Sequence, residues 1–200
     1  MEILLATANL HKLREFRDMF RSLPHIELIS LHQFNDYCPP EETGETFKDN
    51  AILKAEHAAR HFNRRVLADD SGLVVPAIGG DPGVRSRRYA GDEATDLENR
   101  QKLLNAMKHL RDHERTAYFE CCLTLASPGG VQKSFEGICE GFIIEESRGS
   151  HGFGYDPLFV KNDYEKTFAE LDEGIKNRIS HRHKAFERLS TFLETLRDTS

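Results

Sequence analysis

Glu2-Ile-Leu-Leu-Ala6-Thr7-Ala8-Asn9-Leu10-His11-Lys12 is the stretch that sets the fold class. Ile3, Leu4 and Leu5 make a short apolar strand, which stops at Thr7-Ala8-Asn9. From Leu10 onward the apolar residues Leu10, Leu13, Phe16, Phe20 and Leu23 recur at helical spacing, and Asn9 stands where an N-cap belongs. A strand that turns directly into an amphipathic helix is the building unit of an α/β protein.

The rest of the chain extends that unit. Ile26 to Ser30 reads as a second strand, and Asn35 to Glu45, with Pro39, Pro40 and Gly44, as a loop. Thr46 caps a predicted helix to about Phe62, with Phe47, Ala51, Leu53, Ala55 and Ala58 toward its buried side. Val66 to Ala68 reads as a strand ending at Asp69-Asp70. Residues 72–91, with Gly72, Gly79, Gly80, Gly83, Gly91, Pro76 and Pro82, are expected to form short strands and tight turns over a site. Asp96 is placed as the cap of a helix to about His109. Thr116–Ala126 and Val131–Ile144 form a predicted hairpin across Ser127-Pro-Gly-Gly130. A glycine-rich loop covers 149–157, and His181–Leu196 is a helix with Ala185, Leu189, Phe192 and Leu196 as its stripe. No repeat, low-complexity stretch or linker divides the chain. The expected fold is α/β, a mixed twisted sheet flanked by helices, in one domain over residues 1–200.

A hydrophobic content of 38%, with 30% charged residues, is that of an ordinary globular protein. A net charge of −6 argues against a general nucleic-acid coat, whose footprint is basic, but leaves room for a small anion held by local cations. Nothing near the start resembles a signal peptide, and no apolar run approaches the roughly 18 residues of a membrane span. Cys38, Cys121, Cys122 and Cys139 lack CxxC spacing. Buried thiols in a reducing cytosol are therefore expected, rather than zinc or disulfides.

Candidate chemistry lies in five places. Asp69-Asp70 places two carboxylates side by side, which repel one another and are costly to desolvate. A cation is their ordinary compensation, and such oxygen donors suit Mg²⁺ or Mn²⁺. Glu41-Glu42 upstream could complete that centre. The Thr7–Lys12 turn joins a helix start to an ammonium, which fits a phosphate site and equally a capped helix with a solvated lysine. Lys54, two turns into the second helix, fits either a phosphate contact or a lysine reaching to water. Gly149-Ser-His-Gly152-Phe153-Gly154-Tyr155-Asp156-Pro157 combines close-approach glycines, an aromatic face and a carboxylate, as a base pocket or a simple turn would. Lys176 and Ser180-His181-Arg182 add donors at the start of a helix.

These elements together resemble the inosine triphosphate pyrophosphatase family, the XTP/dITP diphosphatases. Six motifs stand in family order: Thr7-x-Asn9-x-x-Lys12, Glu42-Thr-Gly-x-Thr-Phe-x-x-Asn50-Ala-x-x-Lys54-Ala, Ala68-Asp-Asp-Ser-Gly72, Pro82-Gly-Val-x-Ser86-x-Arg88-Tyr-Ala-Gly91, Gly152-Phe-Gly-Tyr-Asp-Pro157 and Lys176-x-x-x-Ser-His-Arg182. They span Leu4 to about Arg188. Departures are small: Arg87 stands where the family has a small residue, and so does His11.

The resemblance implies an elongated α/β fold with two lobes around a central nucleotide-binding cleft, acting as a cytoplasmic homodimer. It implies hydrolysis of ITP, dITP and XTP to monophosphate and pyrophosphate, which keeps deaminated purines out of DNA and RNA. Asp70 would be base and metal ligand, with Glu42 as the other main ligand and Asp69 in support. Thr7, Ala8, Asn9, Lys12, Lys54 and Ser71 would hold the triphosphate. Phe153 and Gly154 would meet the purine, with Tyr155 and Asp156 shaping that end. Lys176, His181 and Arg182 would close over the nucleotide and read its 6-oxo edge. Competing readings are a pyrophosphatase for modified pyrimidine triphosphates, a non-catalytic nucleotide sensor and a metal-dependent nuclease. Keeping both Glu42 and Asp70 speaks against the sensor, and the lack of a basic or aromatic track against the nuclease.

Overall fold

The computed structural model describes residues 1–34 and 36–197. Of the expected 35–45 loop, Asn35 lies outside the described residues, and the remainder is loop. The elements are β1 (Glu2–Leu5), α1 (Leu10–Phe20), β2 (Glu27–Ser30), α2 (Phe47–Phe62), β3 (Val66–Val74), α3 (Asp96–Ala106), β4 (Thr116–Ser127), β5 (Gly130–Ile143), β6 (Phe159–Lys161), α4 (Glu173–Ile179) and α5 (His181–Arg197), with short 3-10 turns between some of them. The fold is α/β with a six-stranded sheet in the order β2-β1-β3-β4-β5-β6. The sheet is mixed: β1 runs parallel to β2 and β3, and β5 antiparallel to β6.

The chain divides into two compact units. One comprises Met1–Asp70, Cys121–Gly137 and Arg182 onward; the other comprises Ser71–Glu120 and Ile138–His181. The unit boundaries fall within β3, β4 and β5 and at the first residue of α5.

In the first unit, Asn9 caps α1 as its sequence predicts, its side chain accepting from the amides of His11 and Lys12. Thr46 does the same for α2, accepting from Asp49 N. The apolar stripe of α1 (Leu13, Phe16, Met19, Phe20) and that of α5 (Ala185, Phe186, Leu189, Leu193) pack with Ile3, Leu5, Leu67 and Cys121. A second core sets Ala55, Ala58 and Ala59 of α2 against Leu4, Val66, Ala68 and Ala126. These alanines let the helix lie close on the sheet. The two cores take alternate residues of β3, as a strand's two-residue period requires.

The second unit has its own core, including Leu73, Val75, Leu103, Met107, Phe119, Phe159 and Phe168. Phe159 sits edge-on to both Phe119 and Phe168, with centroids 4.7 and 4.9 Å away. That spacing suits the aromatic quadrupole.

Several expected boundaries are corrected. The strand from Val66 does not stop at Asp69-Asp70 but runs on to Val74, because each carboxylate finds cationic partners and strand geometry is kept. Residues 76–78 and 83–88 are 3-10 turns rather than short strands. Thr95, not Asp96, caps α3, since Thr95 and Glu98 form a reciprocal capping box. Lys176 lies on its own helix, α4, which ends before α5 begins at His181. The three-residue β6 has no signal in the sequence that separates it from a loop. Cys121, Cys122 and Cys139 are buried and Cys38 is exposed, none in a disulfide.

Candidate active site

Asp69 and Asp70 are neighbours in sequence and opposites in space. Successive side chains of β3 point to opposite faces, so Asp69 faces the α1/α5 side with Leu67, while Asp70 faces α2 with Ala68. The repulsion of adjacent carboxylates is thus relieved by geometry before any cation is added.

Each carboxylate then has protein partners of its own. Asp69 is buried, with one oxygen paired to the Lys12 ammonium. Its other oxygen accepts from Arg182 Nε at 2.9 Å and from the Cys121 thiol at 3.2 Å. Burial alone would raise its pKa, but the Arg182 and Lys12 charges outweigh that and hold the carboxyl well below the usual range. Arg182 also pairs with Glu15 of α1 and lies over the Phe16 ring. Asp70 accepts from Lys54 Nζ at 2.8 Å and from Asn50 Nδ2 at 3.3 Å. Burial pushes its pKa up, opposed by the ammonium charges of Lys54 and Lys12 and reinforced by Glu42. The neighbouring carboxyls are therefore driven in opposite directions, the pattern that separates a structural acid from a candidate base.

Lys54 does not reach out to water. Its Nζ donates to Glu42 at 2.9 Å, to Asp70 at 2.8 Å and to the Asp69 carbonyl at 2.8 Å. Burial works against its charge, yet Asp70 and Glu42 raise its pKa overall. Glu42 and Asp70, which come from a loop and a strand, thus converge on the Lys54 ammonium, and every group that accepts from it is an oxygen. That set fits a hard divalent cation of the Mg²⁺ or Mn²⁺ type and does not fit zinc. Asn50 links the parts: it donates to Asp70 and accepts from Gly44 N at 2.7 Å, tying the Glu42 loop to β3. In the Thr7–Lys12 turn, Asn9 N donates to Thr7 Oγ1 at 3.2 Å, and Ala8 lies between them.

The second unit holds the remaining expected residues. Ser71 is half-buried on β3. Gly152 and Gly154 adopt left-handed backbone, with φ of 74° and 59°, on either side of Phe153. A Cβ on Gly152 would lie 2.1 Å from Asp156 Oδ2, so only glycine fits there. Asp156 Oδ2 accepts from Phe153 N at 2.9 Å and from Lys176 Nζ at 2.6 Å. The Lys176 ammonium lies 4.7 Å from the Phe153 ring centroid. Tyr155 donates to the Ser86 carbonyl at 2.9 Å, and His181 stacks on Phe119 at 4.9 Å.

The structure therefore gathers Lys12, Glu42, Lys54, Asp69, Asp70 and Arg182 in one unit, and Phe153, Asp156 and Lys176 in the other. Arg182 is 1% exposed and is held among carboxylates. The sequence reading gave no site role to Asn50, which stands in one of the six motifs, to Cys121, expected only as a buried thiol, or to Glu15. Asn50 and Glu15 carried one faint signal, a polar residue beside the apolar stripe of an amphipathic helix. Arg87 and His11, the two departures from the family pattern, are both exposed.

Comparison with known proteins shows the family. The Ham1 family model matches residues 3–192. The chain belongs to the Ham1 family. A relative from Protochlamydia amoebophila (strain UWE25), a dITP/XTP pyrophosphatase, is 68% identical over 199 residues, covering 99% of this chain and 100% of the relative. Two solved Ham1 structures match throughout. The protein from Coxiella burnetii is 44% identical with a TM-score of 0.88, and that from Staphylococcus aureus is 41% identical with a TM-score of 0.86. Each alignment covers 98% of this chain and 99% of the other. No helix among the described residues of this Ham1 protein is long and apolar enough to cross a membrane.

Proposed function

We propose that this Ham1 protein hydrolyses dITP and XTP, with ITP and dXTP in the same class, to the nucleoside monophosphate and pyrophosphate. The observation that carries the reading is the convergence of Glu42 and Asp70 on the Lys54 ammonium in one partly buried, oxygen-lined centre, in a chain 68% identical to a dITP/XTP pyrophosphatase. Residues 1–200 are taken as a single pyrophosphatase domain, cytoplasmic and homodimeric, with a small nucleotide rather than a nucleic acid or membrane as its partner.

Glu42 and Asp70 would hold Mg²⁺, or Mn²⁺ in its place. When bound, that cation screens the phosphate charge and polarises the phosphoryl oxygens. Asp70 orients a water and takes its proton as the oxygen attacks the α-phosphorus. The bond from that phosphorus to the bridging oxygen breaks, and pyrophosphate leaves. Lys12, Lys54, Ser71 and the Thr7-Ala8-Asn9 turn hold the triphosphate, strongest where water is excluded. Asp69, with both oxygens engaged by Lys12, Arg182 and Cys121, supports the site by holding Lys12 rather than by ligating metal.

At the other end Phe153 stacks on the purine, beside Gly154, Tyr155 and Asp156. Lys176 and His181 donate toward the 6-oxo oxygen. Arg182 is assigned to Asp69 and Glu15 instead of the base, because its guanidinium is buried between them. An adenine would leave such donors unmet. Each unmet buried group costs about 1–3 kcal/mol, and two give discrimination on the order of 10²–10⁴.

The test is release of pyrophosphate and monophosphate from dITP, XTP, dGTP, dATP and dUTP, with Mg²⁺ and with chelator. Metal-dependent pyrophosphate release from dITP and XTP, about a hundredfold faster than from dGTP or dATP, supports the reading. Orthophosphate release, or tight binding without turnover, overturns it.

A further inference from the structure

Helix α3 takes hold of both polar groups of a single residue in the glycine-rich loop. Asp96 Oδ2 accepts from Gly154 N at 2.7 Å, and Arg100 donates to the Gly154 carbonyl at 2.8 Å. Asp96 and Arg100 are four residues apart, so they stand one turn apart on one face of the helix. Both bonds are charge-assisted and correspondingly strong.

The grip matters because of what Gly154 follows. Phe153 sits between two left-handed glycines, and a Cβ on Gly154 would meet nothing within 4 Å. Gly154 has no side chain of its own to set the orientation of this peptide, and the space where a Cβ would stand is open. On the near side Phe153 N is bound by Asp156, and on the far side the chain is bound by α3. The helix is itself a firm mount. Its start carries the Thr95–Glu98 capping box. Asn99, one turn on, accepts from Ala90 N at 2.7 Å and donates to the Arg87 carbonyl at 2.8 Å, and Leu103 is fully buried. Precise placement of a binding group needs such support behind it.

We propose that Asp96 and Arg100 are positioning residues for base recognition: by clamping Gly154 they fix the plane of the Phe153 ring for stacking on the purine. The inference rests on the nucleotide reading above. Neither side chain touches the base, and both act through the Gly154 peptide.

Three variants test it: Asp96→Ala, Asp96→Asn, which keeps an acceptor, and Arg100→Met, which keeps the stem. Phe153→Ala is the control for stacking itself. Asp96 is exposed and Thr95 remains as the cap, so the fold is retained, and thermal unfolding checks that. Asp96→Ala and Arg100→Met are expected to raise KM for dITP about tenfold, with kcat changed less than about threefold. Asp96→Asn restores most of the loss, and Gly154 amide exchange quickens in Asp96→Ala. Unchanged KM in the clamp variants, where Phe153→Ala raises it, overturns the proposal. So does an equal fall of kcat and melting temperature in all of them, which marks a merely structural role. If Phe153→Ala leaves KM unaltered, stacking itself is wrong and the clamp falls with it. If the wild-type protein releases no pyrophosphate from dITP, the nucleotide reading fails first, and the amide exchange then shows separately whether the clamp exists.

Discussion

Arg182 Nε and Asp69 Oδ2 lie 2.9 Å apart, although 113 residues separate them in sequence. The guanidinium also pairs with Glu15, so one buried cation answers two buried carboxylates drawn from a strand and a helix. Removing one partner from such a group leaves uncompensated charge in a low-dielectric interior.

Replacing Arg182 by Met is therefore expected to cost about 3–5 kcal/mol of stability. Urea unfolding reads this directly. Arg182→Lys rescues only part of the loss, since a single ammonium cannot reproduce two separately directed guanidinium bonds. A loss below about 1 kcal/mol would mean that Asp69 and Glu15 reach solvent.

The Asp69 pair also sets an acid limit. Its pKa is lowered from the model-compound 3.8 in the folded state. As pH falls past that value the unfolded chain takes up a proton that the native one refuses. Asp69's contribution is thus fully present well above pH 3.8 and is lost progressively as pH falls from there to the lower folded value. Unfolding free energy measured from about pH 4 down to about pH 3 should fall by up to about 1.4 kcal/mol per unit from this group. Asp69→Asn should remove that share of the slope.

Asp70→Asn should abolish most turnover, on the order of 10²–10⁴ in kcat. Loss of a single lysine through Lys12→Met should cost less. Equal rates for Asp70→Asn and wild type at saturating Mg²⁺ would rule out Asp70 as the base.

Gly44→Ala tests the tie between the Glu42 loop and β3. A Cβ there would lie 2.7 Å from Asn50 Oδ1 and 2.9 Å from Asn50 N. Buried Asn50 has no room to yield, so the loop must shift and carry Glu42 with it. The half-activating Mg²⁺ concentration is expected to rise about tenfold, read from a metal titration of dITP hydrolysis.

Thiol reactivity should single out Cys38, the one exposed cysteine. Burial pushes Cys121 well above the usual thiol range, and Cys122 up to about 11. Ellman's reagent should titrate one thiol in the native protein and four after unfolding. Rapid native reaction of a second thiol would show that a buried one opens.

Where a local rule had no rival, reading the sequence was enough. Asn9 and Thr46 announce α1 and α2 because a short polar side chain before a helical stripe satisfies the first free amides. The β4–β5 hairpin follows from its Pro-Gly-Gly turn. Asp69-Asp70 misled for the same kind of reason. In isolation two carboxylates read as the end of a strand, and no local signal shows that partners wait on both faces.

Sequence by itself determined the α/β class, the caps of α1 and α2, the hairpin and the residue types of the candidate site, since these depend on spacing along a few turns of chain. Tertiary structure alone decided which charge answers which. Alternation along β3 sends Asp69 to Arg182, Glu15 and Lys12, and sends Asp70 to Lys54, Asn50 and Glu42. Burial then fixes the consequence, because desolvation and neighbouring charge shift a carboxyl only through groups that the fold has brought within a few ångströms.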